Sequence, residues 1–204
     1  MKTVNKIVML VVLMMTALVA NAAESATSIL DKTAAAYKKA GDVKIGFQIK
    51  VNGQSTTGQI KLSGQKFCCS TAGNVAWFDG KTLWNYVKDN DEVNVTNPSE
   101  KDLARMNPYA FLNIYKKGYK CSVKKTTATE YQILMTGTKG SSYGIVEVHI
   151  NKSSLQPTYV KMVSSKRTAE ITVNSYLKNQ KFPATDFTFS KKGEYKSAEI
   201  VDLR

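Results

Sequence analysis

Trp77-Phe-Asp-Gly-Lys-Thr-Leu-Trp-Asn-Tyr86 decides how this chain is read. Asp79-Gly80 predicts a tight β-hairpin, because a type I′ turn needs positive φ at both central residues. The flanking residues are aromatic or aliphatic, as strands require. A hairpin carrying Trp77, Phe78, Trp84 and Tyr86 can wall an apolar cavity. An ordinary sheet core would use the same rings.

Working outward, period two dominates. Val43, Ile45, Phe47, Ile49 and Val51 alternate with Lys44, Gly46, Gln48 and Lys50, which predicts a strand with one apolar and one wet face. Asn52-Gly53 predicts a second two-residue turn, and Gln54 to Ser63 returns with Ile60 and Leu62 apolar. Short strands are expected over 66–71, 75–78, 81–88 and 92–95. More follow over about 119–125, 130–136, 143–151, 157–164, 168–177 and 185–190. Two segments break this rhythm. Glu24 to Ala40 repeats Ile29, Leu30, Thr33, Ala36, Tyr37 and Ala40 at helical spacing, with Ser25 as cap and Gly41 as stop. Within Pro98 to Gly118, Phe111, Leu112 and Tyr115 form one helical stripe. The expected fold is mostly β with a helical lid: one curved antiparallel sheet of about ten or eleven strands, forming an unclosed β-barrel.

The N-terminus reads as a secretory signal. Lys2 and Lys6 precede an apolar run from Ile7 to Val19, and Ala20-Asn21-Ala22 is an A-x-A cleavage site. The run is shorter than the roughly 18 apolar residues of a spanning helix. The expectation is a signal over 1–22 and a single exported domain over 23–204. The first cysteine is Cys68, so no lipid-acceptor cysteine stands at the cleavage point. The formal net charge is +13, or +11 once Lys2 and Lys6 are gone. In an exported chain this favours anionic membrane surfaces or acidic partners over nucleic acid.

Enzyme chemistry finds little support. The one histidine, His149, falls on the wet side of the strand that presents Val148 and Ile150 inward. No Ser-His-Asp or Cys-His pairing is supported without it. No metal-ligand spacing and no phosphate-binding loop occurs, and the sixteen acidic residues are dispersed. No cofactor is expected. Cys68 and Cys69 point to opposite faces. A Cys69–Cys121 bridge would need their strands to be neighbours; buried free thiols are the other reading.

The aromatic hairpin also resembles that of the periplasmic outer-membrane lipoprotein carriers, the LolA-like proteins. Gly58-Gln-Ile-Lys-Leu-Ser-Gly-Gln-Lys-Phe67 is similar to that family's strand ahead of a basic residue and Phe. Val93-Asn-Val-Thr-Asn-Pro98, the Asn107-Pro-Tyr-Ala-Phe-Leu112 lid and the closing Phe182-Pro-Ala-Thr-Asp-Phe-Thr-Phe189 follow in family order. The resemblance implies a soluble, monomeric periplasmic carrier that shields lipoprotein acyl chains in an apolar cavity. It also implies an inner-membrane ATP-driven exporter as donor and an outer-membrane acceptor or membrane surface as destination. A lipid or lipoprotein sensor on the same fold is the alternative. The expected lining is Ile45, Phe47, Ile49, Ile60, Leu62, Phe67, Val146, Val148, Val160, Met162, Ile171 and Val173. Trp77, Trp84 and Tyr86 are further candidates whose face the pattern leaves open, and Tyr109, Phe111 and Leu112 would form the lid. One feature departs from the family, whose members latch the lid with an Arg ahead of the matched Phe. Here Ser63-Gly-Gln-Lys66 offers only Lys66, beside Phe67, and the latch role is not carried over.

Overall fold

Residues 24–100, 102–103, 112, 115–141 and 143–204 are described by a computed structural model. The signal-like segment and the lid residues Tyr109 and Phe111 lie outside the described residues. Helix α1 spans Ala26–Lys39. The Ser25 hydroxyl accepts the Ser28 N–H at 3.2 Å, and Gly41 leaves the helix with φ +64°. Its apolar stripe buries Ala26, Ile29 and Leu30.

Twelve strands follow: β1 (Asp42–Val51), β2 (Gln54–Ser63), β3 (Lys66–Thr71), β4 (Asn74–Phe78), β5 (Leu83–Val87), β6 (Glu92–Thr96), β7 (Tyr119–Thr126), β8 (Glu130–Gly137), β9 (Ile145–Asn151), β10 (Pro157–Val163), β11 (Thr168–Gln180) and β12 (Glu199–Asp202). They make one sheet in the order β12-β6-β5-β4-β3-β2-β1-β11-β10-β9-β8-β7, with β12 and β7 as unjoined edges. The expected unclosed barrel is therefore present, with one strand more than anticipated. Register shifts between Gly46 and Phe47 against β11, and between Val123 and Lys125 against β8, interrupt the ladder. Such bulges bend and twist a strand.

Two details differ from expectation. The Asn52-Gly53 turn has φ of +48° and +93°, as a type I′ hairpin requires. At Asp79-Gly80 only Gly80 has positive φ, and Phe78 pairs Leu83 across four loop residues. There the Asp79 carboxylate accepts the N–H groups of Lys81 and Thr82, both at 2.8 Å, so a side chain closes the turn. The second concerns the C-terminus. Residues 185–190 are not a strand: Ala184–Phe187 is a 3-10 turn, and the closing strand is β12, which pairs β6 in parallel. Pro183 has no N–H to give a ladder, and the carboxylate of Asp186 is drawn to Lys61 at 2.8 Å.

The sheet has two unlike faces. Its concave face carries the main core, where Val43, Ile45, Ile60, Leu62, Ile133, Met135, Val146, Val148 and Ile150 are buried with the stripe of α1. The convex face is wet along β1, where Lys44, Gln48 and Lys50 point outward, and covered along β3 to β6. There Val93, Val95 and Ala198 form a second, smaller core with Trp84, Tyr86, Phe189 and Tyr195. The chain after β11 is its cover.

Candidate functional site

Helix α1 fills only part of the concave face. Toward the β1–β2, β3–β4 and β10–β11 turns the same face is open, and a cavity of about 520 Å3 lies there. Phe47, Ile49 and Val51 come to it from β1, where alternation puts all three on one side. Val173, Ile171 and Ala169 of β11 pair with them in turn, and Met162 of β10 pairs with Ala169. Of these, Ile171, Ala169 and Met162 line the cavity. On the other side Cys69 of β3 and Ala76 of β4, paired with each other, complete the apolar wall.

Gly58 shapes this wall without belonging to it. It stands opposite Phe47, and a Cβ there would meet the Phe47 ring at 2.7 Å and the Ser70 carbonyl oxygen at 2.5 Å. The absent side chain is what lets the ring lie flat on β2. Among the described residues the polar lining is Thr71, Asn74, Asp102 and Arg167, the last three exposed. Asp102 forms a capping box with Ser99: its carboxylate takes the Ser99 hydroxyl at 2.6 Å and the Ser99 N–H at 3.3 Å.

The expected lining residues separate into three groups. Phe47, Ile49, Met162 and Ile171 line the cavity. Ile45, Ile60, Leu62, Phe67, Val148 and Val160 share their face, but are packed to at most 1% exposure in the core deeper along the sheet. Val146 is as deeply packed, and Val173 lies against the same core. Trp77, Trp84 and Tyr86 are on the opposite, convex face. Trp77 pairs Cys68 and Trp84, and its ring meets Phe189 at 5.6 Å and Tyr195 at 5.2 Å. Tyr86 meets Tyr195 at 5.0 Å. These rings anchor the C-terminal cover, so they point away from the cavity. Of the lid residues only Leu112 is described; it is buried and joins the main core.

Tyr115, just after that segment, is buried and donates its hydroxyl proton to Asp31 of α1, while Lys116 pairs with the same carboxylate at 2.7 Å. This fixes the end of the 98–118 segment on the helix. Cys69 and Cys121 are both free. Strands β3 and β7 have six strands between them in the sheet, so the neighbour condition for a bridge is not met. Burial pushes the Cys69 thiol up to about 12, which keeps it neutral in the cavity wall. His149 lies on the convex face, 3.1 Å from Glu147 and with its ring 4.8 Å from that of Tyr159. It is remote from the cavity in register. The arrangement can hold an apolar chain.

The model of the family described as outer membrane lipoprotein carrier protein LolA matches residues 16–166. The chain belongs to this LolA family. No curated protein sequence matches it. An uncharacterized conserved protein from Thermus thermophilus has a similar structure, with TM-score 0.61 and 12% identity over 87% of this chain and 98% of that one. That likeness shows the fold. LolA superfamily protein NE2245 from Nitrosomonas europaea matches with TM-score 0.45 and 14% identity, covering 82% of this chain and 99% of its own. The MucA/MucB complex from Pseudomonas aeruginosa matches with TM-score 0.44 and 12% identity, covering 81% of this chain and 61% of that one.

Proposed function

We propose that the chain is a periplasmic carrier that shields lipoprotein acyl chains and shuttles lipoproteins from the inner to the outer membrane. One observation carries the reading: the concave face of a LolA-family sheet is plugged by α1 at one end and left open, apolar and hollow at the other. The physics makes such a hollow useful. Each buried methylene is worth about 0.8 kcal/mol, so one long acyl chain exposed to water costs roughly 10 kcal/mol. At about 520 Å3 the hollow falls within the range of roughly 300–1,000 Å3 typical of small-molecule sites.

The same magnitude requires that loading be driven from outside the chain. An inner-membrane ATP-driven exporter is the expected donor, and an outer-membrane acceptor or the membrane surface the destination. The A-x-A signal and the lack of a cysteine at the cleavage point support export as an unanchored protein. Among the described residues no helix is long and apolar enough to cross a membrane.

Site-directed photo-crosslinking in cells tests the reading. A benzoylphenylalanine at Ile49 should capture acylated lipoproteins, and one at Gln48, on the wet face, should not. Capture at both positions alike, or capture of a lipoprotein whose acceptor cysteine is replaced by serine, would refute it.

A further inference from the structure

We propose that Arg167 makes the mouth of this cavity a site for the carboxylate of a free long-chain fatty acid, a ligand distinct from lipoprotein cargo. The inference rests on the carrier reading only for the apolar hollow itself. Arg167 closes the β10–β11 turn, and its backbone is fixed there: the Ser164 N–H donates to its carbonyl at 2.9 Å, and its own N–H donates to the Ser164 hydroxyl at 3.2 Å. The side chain is exposed and lines the cavity.

Many cations of this basic surface have no carboxylate partner among the described residues, but Arg167 is the one that the described cavity lining contains. Lys32, Lys61, Lys116, Lys124 and Lys161 each face a carboxylate within 3.1 Å. Among the described residues the Arg167 guanidinium makes no ion pair and no hydrogen bond, although Asp102 lines the same cavity. The Asp102 carboxylate is engaged by Ser99. A guanidinium on the rim of an apolar hollow can receive a planar anion through two parallel hydrogen bonds. The exposed amide of Asn74, on the same lining, adds neutral donors.

An acyl chain joined to a lipoprotein by an ester or amide carries no charge at its carbonyl, and gives this cation nothing to neutralise. A free fatty carboxylate does.

The test uses the full exported chain loaded with a neutral fluorescent probe, N-phenyl-1-naphthylamine, at pH 7.5 and low salt. Palmitoleate and palmitoleyl alcohol are compared as displacers. Palmitoleate should displace the probe at a roughly tenfold lower concentration, and high salt should narrow the gap. Arg167→Gln should abolish the preference for the acid. Lys166→Gln, at the exposed neighbour that does not line the cavity, should retain it. Circular dichroism establishes that both variants are folded. Equal displacement by acid and alcohol in the wild type, or a preference that survives Arg167→Gln, overturns the proposal while leaving the carrier reading standing. Displacement by neither overturns both.

Discussion

Phe47 owes its place in the cavity to Gly58. A methyl group at Gly58 would enter both the ring and the Ser70 carbonyl, and the backbone cannot retreat within the ladder. Gly58→Ala should therefore destabilise the protein by about 1–3 kcal/mol and tilt the ring into the hollow. Thermal melting and probe binding should both report it. Phe47 itself is 4% exposed yet lines open space. Phe47→Glu places an unpaired carboxylate where a lipid tail should lie. Because water can reach that carboxylate through the mouth, the variant should keep its circular dichroism spectrum and lose acyl-chain binding at least tenfold. An unfolded variant would identify Phe47 as close-packed core; a folded variant that binds like the wild type would remove it from the site.

Among the elements, β1 was the most legible in the sequence, because its face is half wet and the alternation from Val43 to Val51 is unbroken. Strand β4 was the least legible. Ala76, Trp77 and Phe78 are buried in succession, since the core covers one face of that strand and the C-terminal segment covers the other. Period two disappears where both faces are buried, so the rings that announced the sheet gave no indication of their side. The cavity was half legible for a related reason. Parity fixed the face of Ile45 and Ile49 alike, but only the docking of α1 decides which is sealed and which is open. Strand β12 was hidden because four residues bounded by Glu199 and Asp202 have no alternation to read, and its pairing with β6 is long-range and parallel. These placements have an optical consequence. Both tryptophans are on the convex face, so saturating the cavity with palmitoleate should leave the intrinsic fluorescence spectrum unshifted. Deleting 199–204 removes the strand that pairs β6 and frees that edge beside the Val93–Ala198 cluster; it should lower the melting temperature. A tryptophan spectrum that moves on lipid binding, with the C-terminus intact, would put the rings in the cavity after all.

At the scale of the whole molecule, charge and pH act through the surface. A hydrogen bond from Lys32 holds Glu24 below its ordinary 4.5, Lys116 holds Asp31 below 3.8, Lys161 lowers Glu170, and Arg204 brings Asp202 down to about 2. Each carboxylate is more acidic folded than unfolded, so the unfolded chain binds more protons once the pH falls below the ordinary values. Their contribution is present above about 4.5 and is lost as the pH falls toward 2. The melting temperature should be flat between pH 7 and 5 and fall below 4.5, by less in high salt, because these pairs are exposed. A fall that begins at pH 6 would implicate other groups. None of this reaches the hollow, whose worth lies in apolar burial. Its content is measured most directly by native mass spectrometry of the purified protein mixed with an equimolar triacylated lipopeptide. The account predicts a one-to-one complex that Phe47→Glu weakens and Trp84→Ala does not. A wild-type spectrum showing only the bare chain, or a complex indifferent to Phe47→Glu, would contradict it.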